Sequence, residues 1–282
     1  MTDRIDALLA DATETLHLGG VADAAADARI LLCAATGLGR LDLLTRSDAA
    51  VSGADAGRFR AWIARRAKRE PVSRILARRE FRSLDFEVSP DTLDPRPDSE
   101  TLVELALNML ESGPDAPRIL DLGTGTGCLL LSLLDEIPAA TGVGTDISPG
   151  ACAVARRNAD RLGFAGRARF FEGNWAEPVD GTFDLIVSNP PYIAAAEKSS
   201  LEPEVAAFDP ETALFGGDDG LDAYREIAAV GASLLAPGGT LVLEIGHRQE
   251  AAVSDLFRNA GYRQVARLDD LGGRPRSLAF GA

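Results

Sequence analysis

Cysteine and histidine are scarce in this chain of 282 residues: three cysteines, Cys33, Cys128 and Cys152, and two histidines, His17 and His247. An odd number of widely spaced cysteines excludes a disulfide framework and gives no zinc signature; a reducing cytosol suits them. Cys128 and Cys152 fall in helical text, where buried thiols are expected. The histidines stand far apart without an evident partner, so neither histidine-based catalysis nor a metal site is expected. No window approaches eighteen uninterrupted apolar residues, which argues against a membrane span. The start, MTDRIDALLADATETL, alternates acids with leucines and lacks the basic opening of a signal peptide. The expected location is the cytoplasm.

Basic charge is also in deficit. Net charge is −14, which disfavours a whole-surface nucleic-acid binder, because neutralising phosphates needs clustered Lys and Arg. The deficit is uneven: residues 1–80 hold 13 basic and 11 acidic side chains, whereas 81–282 hold 16 and 32. From Arg58 to Arg79 there are nine basic residues against Glu70 alone. Such a run is either a solvated helix face or a docking surface for an anionic partner. What the chain does have is apolar content, 46% hydrophobic with 26% charged. That is enough to fill the core of a small and a medium domain.

Residues 3–69 carry apolar residues at helical spacing, as in Ile5, Leu8 and Leu9, and glycine pairs punctuate them into about four short helices. At EFRSLDFEVSP, residues 80–90, near alternation of Phe81, Leu84, Phe86 and Val88 predicts a hairpin. Pro95 and Pro97 then pin an extended segment before a helix capped by Asp98 or Ser99. Arg96, held between those prolines, either faces an anionic group or pairs with Asp98. From about 117 onward strand-like and helix-like segments alternate, beginning with RILDLG and ATGVGTDI. That pattern predicts a mostly parallel, doubly wound sheet with helices on both faces.

In such a sheet the ligand lies at the carboxyl ends of the strands. ILDLGTGTGCL places Gly123, Gly125 and Gly127 between a strand and a helix, where the backbone can approach a ligand closely. The spacing GxGxG is not the dinucleotide fingerprint, and Asp121 ahead of it suits a cationic ligand such as an ammonium group. Asp146, ending the second strand, can accept both hydroxyls of a ribose; the bland role, capping the next helix, suits Ser148 better. Trp175 at another strand end is either core packing or a face for an adenine. The sharpest signal is SNPPYI. An amide nitrogen is a poor nucleophile because its lone pair is delocalised, so it must be held for attack. The Asn189 side-chain oxygen and the Pro190 carbonyl can each accept one hydrogen of an NH₂ group. The prolines fix those acceptors, and Tyr192 offers a stacking face.

DLGTGTG, the acid of VGTDIS and NPPY, in that order, resemble the class I methyltransferases that use S-adenosylmethionine. With REPVSRIL, REFRSLDFEVSPDTLDPRPDSE, GNW and FDPETALFGGDDGL the closer resemblance is to the release-factor glutamine methyltransferases (HemK/PrmC type), over residues 69–221. The chain departs from the usual pattern of that family at Arg74, Ala77 (commonly Gly), Asp94 (commonly aliphatic) and Asp209 (commonly Glu).

The resemblance implies a seven-stranded, mostly parallel α/β sheet with a small N-terminal helical domain joined by a β-hairpin. The expected division is a helical docking domain over 1–78, hairpin and linker over 79–97, and a methyltransferase domain over 98–282. It implies S-adenosylmethionine as cofactor, surrounded by Asp121, Gly123, Thr124, Gly125, Thr126, Gly127, Asp146, Trp175 and Asn189. It also implies a glutamine held by Asn189, Pro190, Pro191 and Tyr192, with Asn189, Pro190 and Tyr192 in the catalytic roles. The implied substrate is the glutamine of the GGQ motif in peptide-chain release factors, acted on by a monomer with no stable nucleic-acid or membrane partner. An adenine-amino methyltransferase and a ribosomal-protein glutamine methyltransferase are the alternatives. The first needs a basic track beside NPPY, which a net charge of −16 over 81–282 disfavours.

Overall fold

The structure, a computed structural model, describes residues 3–282. The chain forms two compact units: residues up to 77 together with 202–208, and residues 78–201 together with 209–282.

The first unit is helical: α1 (Ile5–Leu18), α2 (Ala24–Thr36), α3 (Arg40–Thr45), α4 (Gly53–Arg66) and α5 (Val72–Leu76), with a short helix at Pro203–Phe208. Ile5, Leu8, Ala12 and Leu16 recur every three or four residues along α1 and are buried with Leu31 and Leu32 of α2 and Phe59 and Ile63 of α4. Gly37 ends α2 in the left-handed region, and the Ser52 hydroxyl caps α4 by accepting from Asp55 N at 3.1 Å. Ala77 ends α5 at φ 54°, a left-handed conformation that costs a residue with a Cβ about 1–2 kcal/mol and that glycine adopts freely. The basic run is largely paired inside this unit. Arg58 meets Asp55, Arg60 meets Asp3, and Arg65 meets Glu70 at 2.5 Å. Arg66 lies between Asp27 at 2.7 Å and Glu204 at 3.0 Å, and Arg69 reaches Glu204 at 2.6 Å. Arg58, Arg60 and Arg65 keep about half of their side-chain surface in solvent while paired, so the run is a solvated helix face laced with ion pairs, and Arg66 is the member drawn inside.

The second unit opens with the hairpin of β1 (Arg78–Phe81) and β2 (Leu84–Glu87). Arg82 and Ser83 at its turn both have positive φ, as a two-residue turn matched to strand twist requires. There follow α6 (Glu100–Leu110), β3 (Arg118–Leu122), α7 (Cys128–Glu136), β4 (Thr141–Asp146), α8 (Pro149–Leu162), β5 (Ala168–Glu172) and β6 (Phe183–Ser188). Counting the Pro203–Phe208 helix as α9, the chain ends with α10 (Asp222–Leu234), β7 (Leu235–Glu244), α11 (Glu250–Asn259), β8 (Arg263–Asp269) and β9 (Pro275–Gly281). The predicted seven-stranded sheet is present in the order β5-β4-β3-β6-β7-β9-β8, with β9 antiparallel to both its neighbours.

Period-two alternation sorts the strand residues between two cores. Ile119, Leu185, Val187 and Val242 face α6, α7 and α8, whereas Leu120, Ile186, Leu241 and Leu243 face α10 and α11. Strand order reverses at β3, whose neighbours β4 and β6 lie on opposite sides, and this opens a crevice at the carboxyl ends of the strands. Among the described residues no helix is long and apolar enough to cross a membrane.

Burial alone would raise the Glu204 carboxyl, but the hydrogen bonds from Arg69 and Arg66 outweigh it and hold the group at about 2, below its ordinary 4.5. A depressed carboxylate stabilises the fold above the unfolded value and loses that contribution as pH falls through the folded one. Glu204→Gln is therefore expected to lower unfolding stability by about 2–3 kcal/mol at neutral pH. In urea titrations the difference from wild type should shrink between pH 4.5 and about 2. A difference that stays constant through that window contradicts the ion-pair account.

Candidate active site

A cavity of about 410 Å³ lies at the crevice, within the size range of small-molecule sites. Four strand ends build its floor: the glycine loop after β3, Asp146 to Ser148 after β4, Asn174 and Trp175 after β5, and Asn189 with Pro191 after β6. Residues 91–99 and 210–217, with Asp222, Ala223 and Glu226 of α10, supply the remaining walls.

The glycine loop works because its backbone bends where side chains cannot follow. Gly123, Gly125 and Gly127 have φ of 75°, 55° and 80°. The N–H groups of Gly123 and Thr124 both donate to the Thr145 carbonyl on β4, at 2.9 and 2.8 Å. Gly144 makes room beside them: a Cβ there would sit 2.7 Å from Thr124 Oγ1 and 2.6 Å from the Phe170 ring. Asn158, fully buried on α8, ties the loop to the hairpin. Its Nδ2 donates to the Thr126 carbonyl at 2.9 Å and to the Glu87 carbonyl at 3.1 Å, and its Oδ1 accepts from Glu87 N at 2.8 Å.

Asp121 is wholly buried and off the cavity wall. Its Oδ2 accepts from the Thr124 hydroxyl at 2.6 Å, while Oδ1 meets no hydrogen-bond donor among the described residues. Burial is the main reason its pKa is pushed up to about 7. Asp146, by contrast, lines the cavity. Its Oδ2 accepts from Gly125 N at 2.8 Å and its Oδ1 from Ser148 N at 2.9 Å. Each oxygen keeps a lone pair for a ligand. The capping role falls to Ser148, whose hydroxyl accepts from Ala151 N at 3.2 Å. Trp175 lines the cavity too, its ring held by an Nε1 hydrogen bond to Glu226 Oε2 at 2.6 Å.

At the NPPY corner the structure brings Asn189 and Pro191 to the cavity wall, with Pro190 buried and Tyr192 packed into the second core. The Asn189 Nδ2 donates to the Ser99 hydroxyl at 3.1 Å. Ser99 starts α6 but makes no cap hydrogen bond to it. The Tyr192 hydroxyl lies 3.4 Å from Glu244 Oε1 at the end of β7, and burial raises its pKa, so it stays neutral. Gln249 buckles the corner from behind. Its Nε2 donates to the carbonyls of Tyr192 at 2.9 Å and Gly220 at 3.2 Å, and its Oε1 accepts from Gly246 N at 3.0 Å. The FGGDDGL stretch folds against the corner: Ile193 N donates to Leu214 O at 2.9 Å and Gly216 N to Ile193 O at 3.0 Å. A Cβ at Gly216 would lie 2.5 Å from the Pro191 carbonyl, so only glycine permits this approach.

Arg96 lines the cavity and pairs with the buried carboxylate of Asp209, not with Asp98, which meets Arg276 at 3.1 Å. Neither Glu244 nor Gln249 is singled out by the sequence reading. Glu244 nonetheless carries the signal that points to Asp146, an acid at the carboxyl end of an apolar strand. Gln249 carries no such signal, since its role comes from contacts 29 and 57 residues away in the chain.

Residues 7–76 match the family described as the PrmC N-terminal domain, and residues 96–205 match the methyltransferase small domain. The release factor glutamine methyltransferase of Rhodospirillum rubrum is 51% identical over 263 residues, covering 93% of this chain and 80% of its own. That of Agrobacterium fabrum is 44% identical over 279 residues, 98% of this chain and 96% of its own. Among solved structures, a methyltransferase from Pyrococcus furiosus superposes with a TM-score of 0.52 at 21% identity, over 71% of this chain and 89% of its own, a likeness of fold. With relatives of this identity matched along nearly its whole length, the chain belongs to the release factor glutamine methyltransferase family.

Proposed function

We propose that this chain transfers a methyl group from S-adenosylmethionine to the side-chain amide nitrogen of a glutamine, that of the GGQ motif in peptide-chain release factors. The observation that carries the reading is the Asn189 amide. Its nitrogen is engaged by Ser99 at 3.1 Å, so Oδ1 is the end left to accept hydrogen bonds at the cavity wall.

The residues present fit the methyl donor. The three positive-φ glycines, with Thr124 and Thr126 between them, form a cradle in which a Cβ at Gly125 would meet nothing, so the space beside it is open. The second lone pairs of Asp146 suit a pair of ribose hydroxyls, and Trp175 with the exposed Ile147 offers apolar faces for an adenine. Asp121 acts through Thr124, whose hydroxyl it holds. S-adenosylmethionine, when bound, supplies a methyl carbon made electrophilic by its sulfonium sulfur.

The chain's own task is to prepare the amide nitrogen. Asn189 Oδ1 and the Pro190 carbonyl accept its two hydrogens, and the prolines keep both acceptors where they are. Acceptors set in advance stabilise the positive charge that grows on nitrogen during attack, without reorganising at that moment. Tyr192, anchored through its hydroxyl and through Gln249, holds the far side of the corner. Alignment and these acceptors dominate the rate.

A labelling experiment and three variants test this. Incubation with methyl-labelled cofactor and release factor, followed by fragmentation, should place the label on the GGQ glutamine; label elsewhere overturns the assignment. Asp146→Ala should weaken cofactor binding by about 1.5–3 kcal/mol in calorimetry, and a folded variant of unchanged affinity removes the ribose role. Asn189→Ala should keep cofactor affinity while turnover falls by about 10²–10³. Asn189→Asp should bind cofactor yet transfer methyl poorly, because the added charge must be desolvated. Near wild-type turnover in Asn189→Ala would reduce the corner to a strand terminator.

A further inference from the structure

Four carboxylates line the cavity, those of Asp91, Asp146, Asp222 and Glu226, but among the described residues only one basic side chain does, that of Arg96. Arg96 is held firmly. Pro95 and Pro97 flank it, and its backbone is extended at φ −99° and ψ 143°. Asp209, with a side chain 1% exposed, ties this segment twice: Oδ2 accepts from Arg96 Nη2, and Oδ1 from Asp94 N at 3.4 Å. That pairing occupies one edge of the guanidinium, and 38% of the Arg96 side chain stays exposed. The glycine loop is no rival site for an anion, because its N–H groups are largely spent within the protein. Those of Gly123 and Thr124 go to the Thr145 carbonyl, that of Gly125 to Asp146, and that of Gly127 to the Thr124 carbonyl at 2.8 Å.

We infer that Arg96, held in place by Asp209, is the subsite for the carboxylate at the amino-acid end of the methyl donor. The inference rests on the reading of S-adenosylmethionine as that donor, a molecule with adenosine at one end and an amino acid at the other, joined through the sulfonium. Sheet order assigns the two ends. Asp146, Ile147 and Trp175 follow β4 and β5, on one side of β3, and suit the adenosine. Asn189 follows β6, on the other side, and holds the nitrogen that must meet the methyl. The amino-acid end is bonded to the same sulfur as the methyl, so it belongs on the Asn189 side. Arg96 stands there. Its carbonyl accepts from Ser99 N at 3.0 Å, and the Ser99 hydroxyl meets Asn189 at 3.1 Å. From Asp209 the chain runs on to Gly216, which closes on the Pro191 carbonyl. A carboxylate among four acids is repelled unless a cation receives it, and a guanidinium offers a fork of charge-assisted donors that matches a carboxylate. Because Asp209 and the prolines order Arg96 beforehand, little side-chain freedom is lost on binding.

Calorimetry with two donors tests this without turnover. S-adenosylmethionine carries the carboxylate; decarboxylated S-adenosylmethionine keeps the adenosine and the sulfonium and lacks it. Arg96→Gln should weaken binding of the intact donor by about tenfold to a hundredfold and leave binding of the decarboxylated one unchanged. The decarboxylated donor thereby also reports that the variant's site is folded. Since Arg96→Gln takes a cation from Asp209, the double variant Arg96→Gln with Asp209→Asn removes that charge too and should show the same selective loss. Arg96→Lys, which keeps the charge without the fork, should retain part of the difference. An unchanged ratio of the two affinities in Arg96→Gln overturns the inference. So does equal weakening of both donors in the single and the double variant, which would leave Arg96 as a support of the wall. If Arg96→Gln spares the ratio but raises KM for release factor, the cation serves the acceptor and the inference falls. If the selective loss is found while wild type transfers no methyl to glutamine, the carboxylate subsite stands and the reading of the acceptor falls. If wild type binds neither donor, both fall.

Discussion

A carboxyl group at the inner end of a sheet strand is costly to bury unless something is built to receive it, and this fold buries two there and half-buries a third. Asp146 and Glu244 end β4 and β7, and Asp121 is one residue from the end of β3, all at the carboxyl ends of the strands; burial is the leading cause of the raised pKa of each. Leaving such groups without donors would cost several kcal/mol. Asp121 is met by the hydroxyl of Thr124, Asp146 by the N–H groups of Gly125 and Ser148, and Glu244 by the hydroxyl of Tyr192. Each of those donors belongs to a segment that lines the cavity or abuts it. The requirement to satisfy these three acids thus shapes the glycine loop, the turn into α8 and the NPPY corner together.

The glycines serve the same geometry from the backbone side. Gly123, Gly125 and Gly127 bend the first loop, Gly144 clears space beside Thr124, and Gly216 lets one loop close on the Pro191 carbonyl. Around this frame side-chain amides act as rivets. Asn158 joins the glycine loop to the hairpin, Gln249 joins the NPPY corner to the 220 turn, and Asn189 joins the corner to the start of α6. Asn158 and Gln249 use both ends of their amides on protein groups, which suits a structural part. Asn189 uses only its nitrogen, and that asymmetry separates a residue that holds the frame from one that faces a ligand.

Much was legible in the sequence. Period-two alternation and short apolar runs identified the strands, helical spacing in Ile5, Leu8 and Leu9 identified the first unit, and the order of glycine loop, Asp146 and NPPY identified the cavity floor. These signals are local, because side-chain periodicity and the φ demands of glycine and proline are properties of a few consecutive residues. The departures from family pattern read differently once folded. Ala77 stands at a left-handed helix end where glycine is the easier residue, and Asp209 is the buried partner of Arg96.

Tertiary structure alone decided which polar groups meet. Arg96 lies two residues from Asp98 yet pairs with Asp209, and Arg66 and Arg69 are joined by Glu204, which follows them by about 135 residues. Glu202 to Phe208 belong with the first unit although both flanks belong with the second. Ser99 had the sequence of a helix cap and became the partner of Asn189, 90 residues on. Such pairings are chosen by the energy of desolvating a charge or a hydrogen-bonding group at a particular place in the fold. No periodic pattern encodes that place; it exists only after the strands have been ordered and their ends brought to one edge.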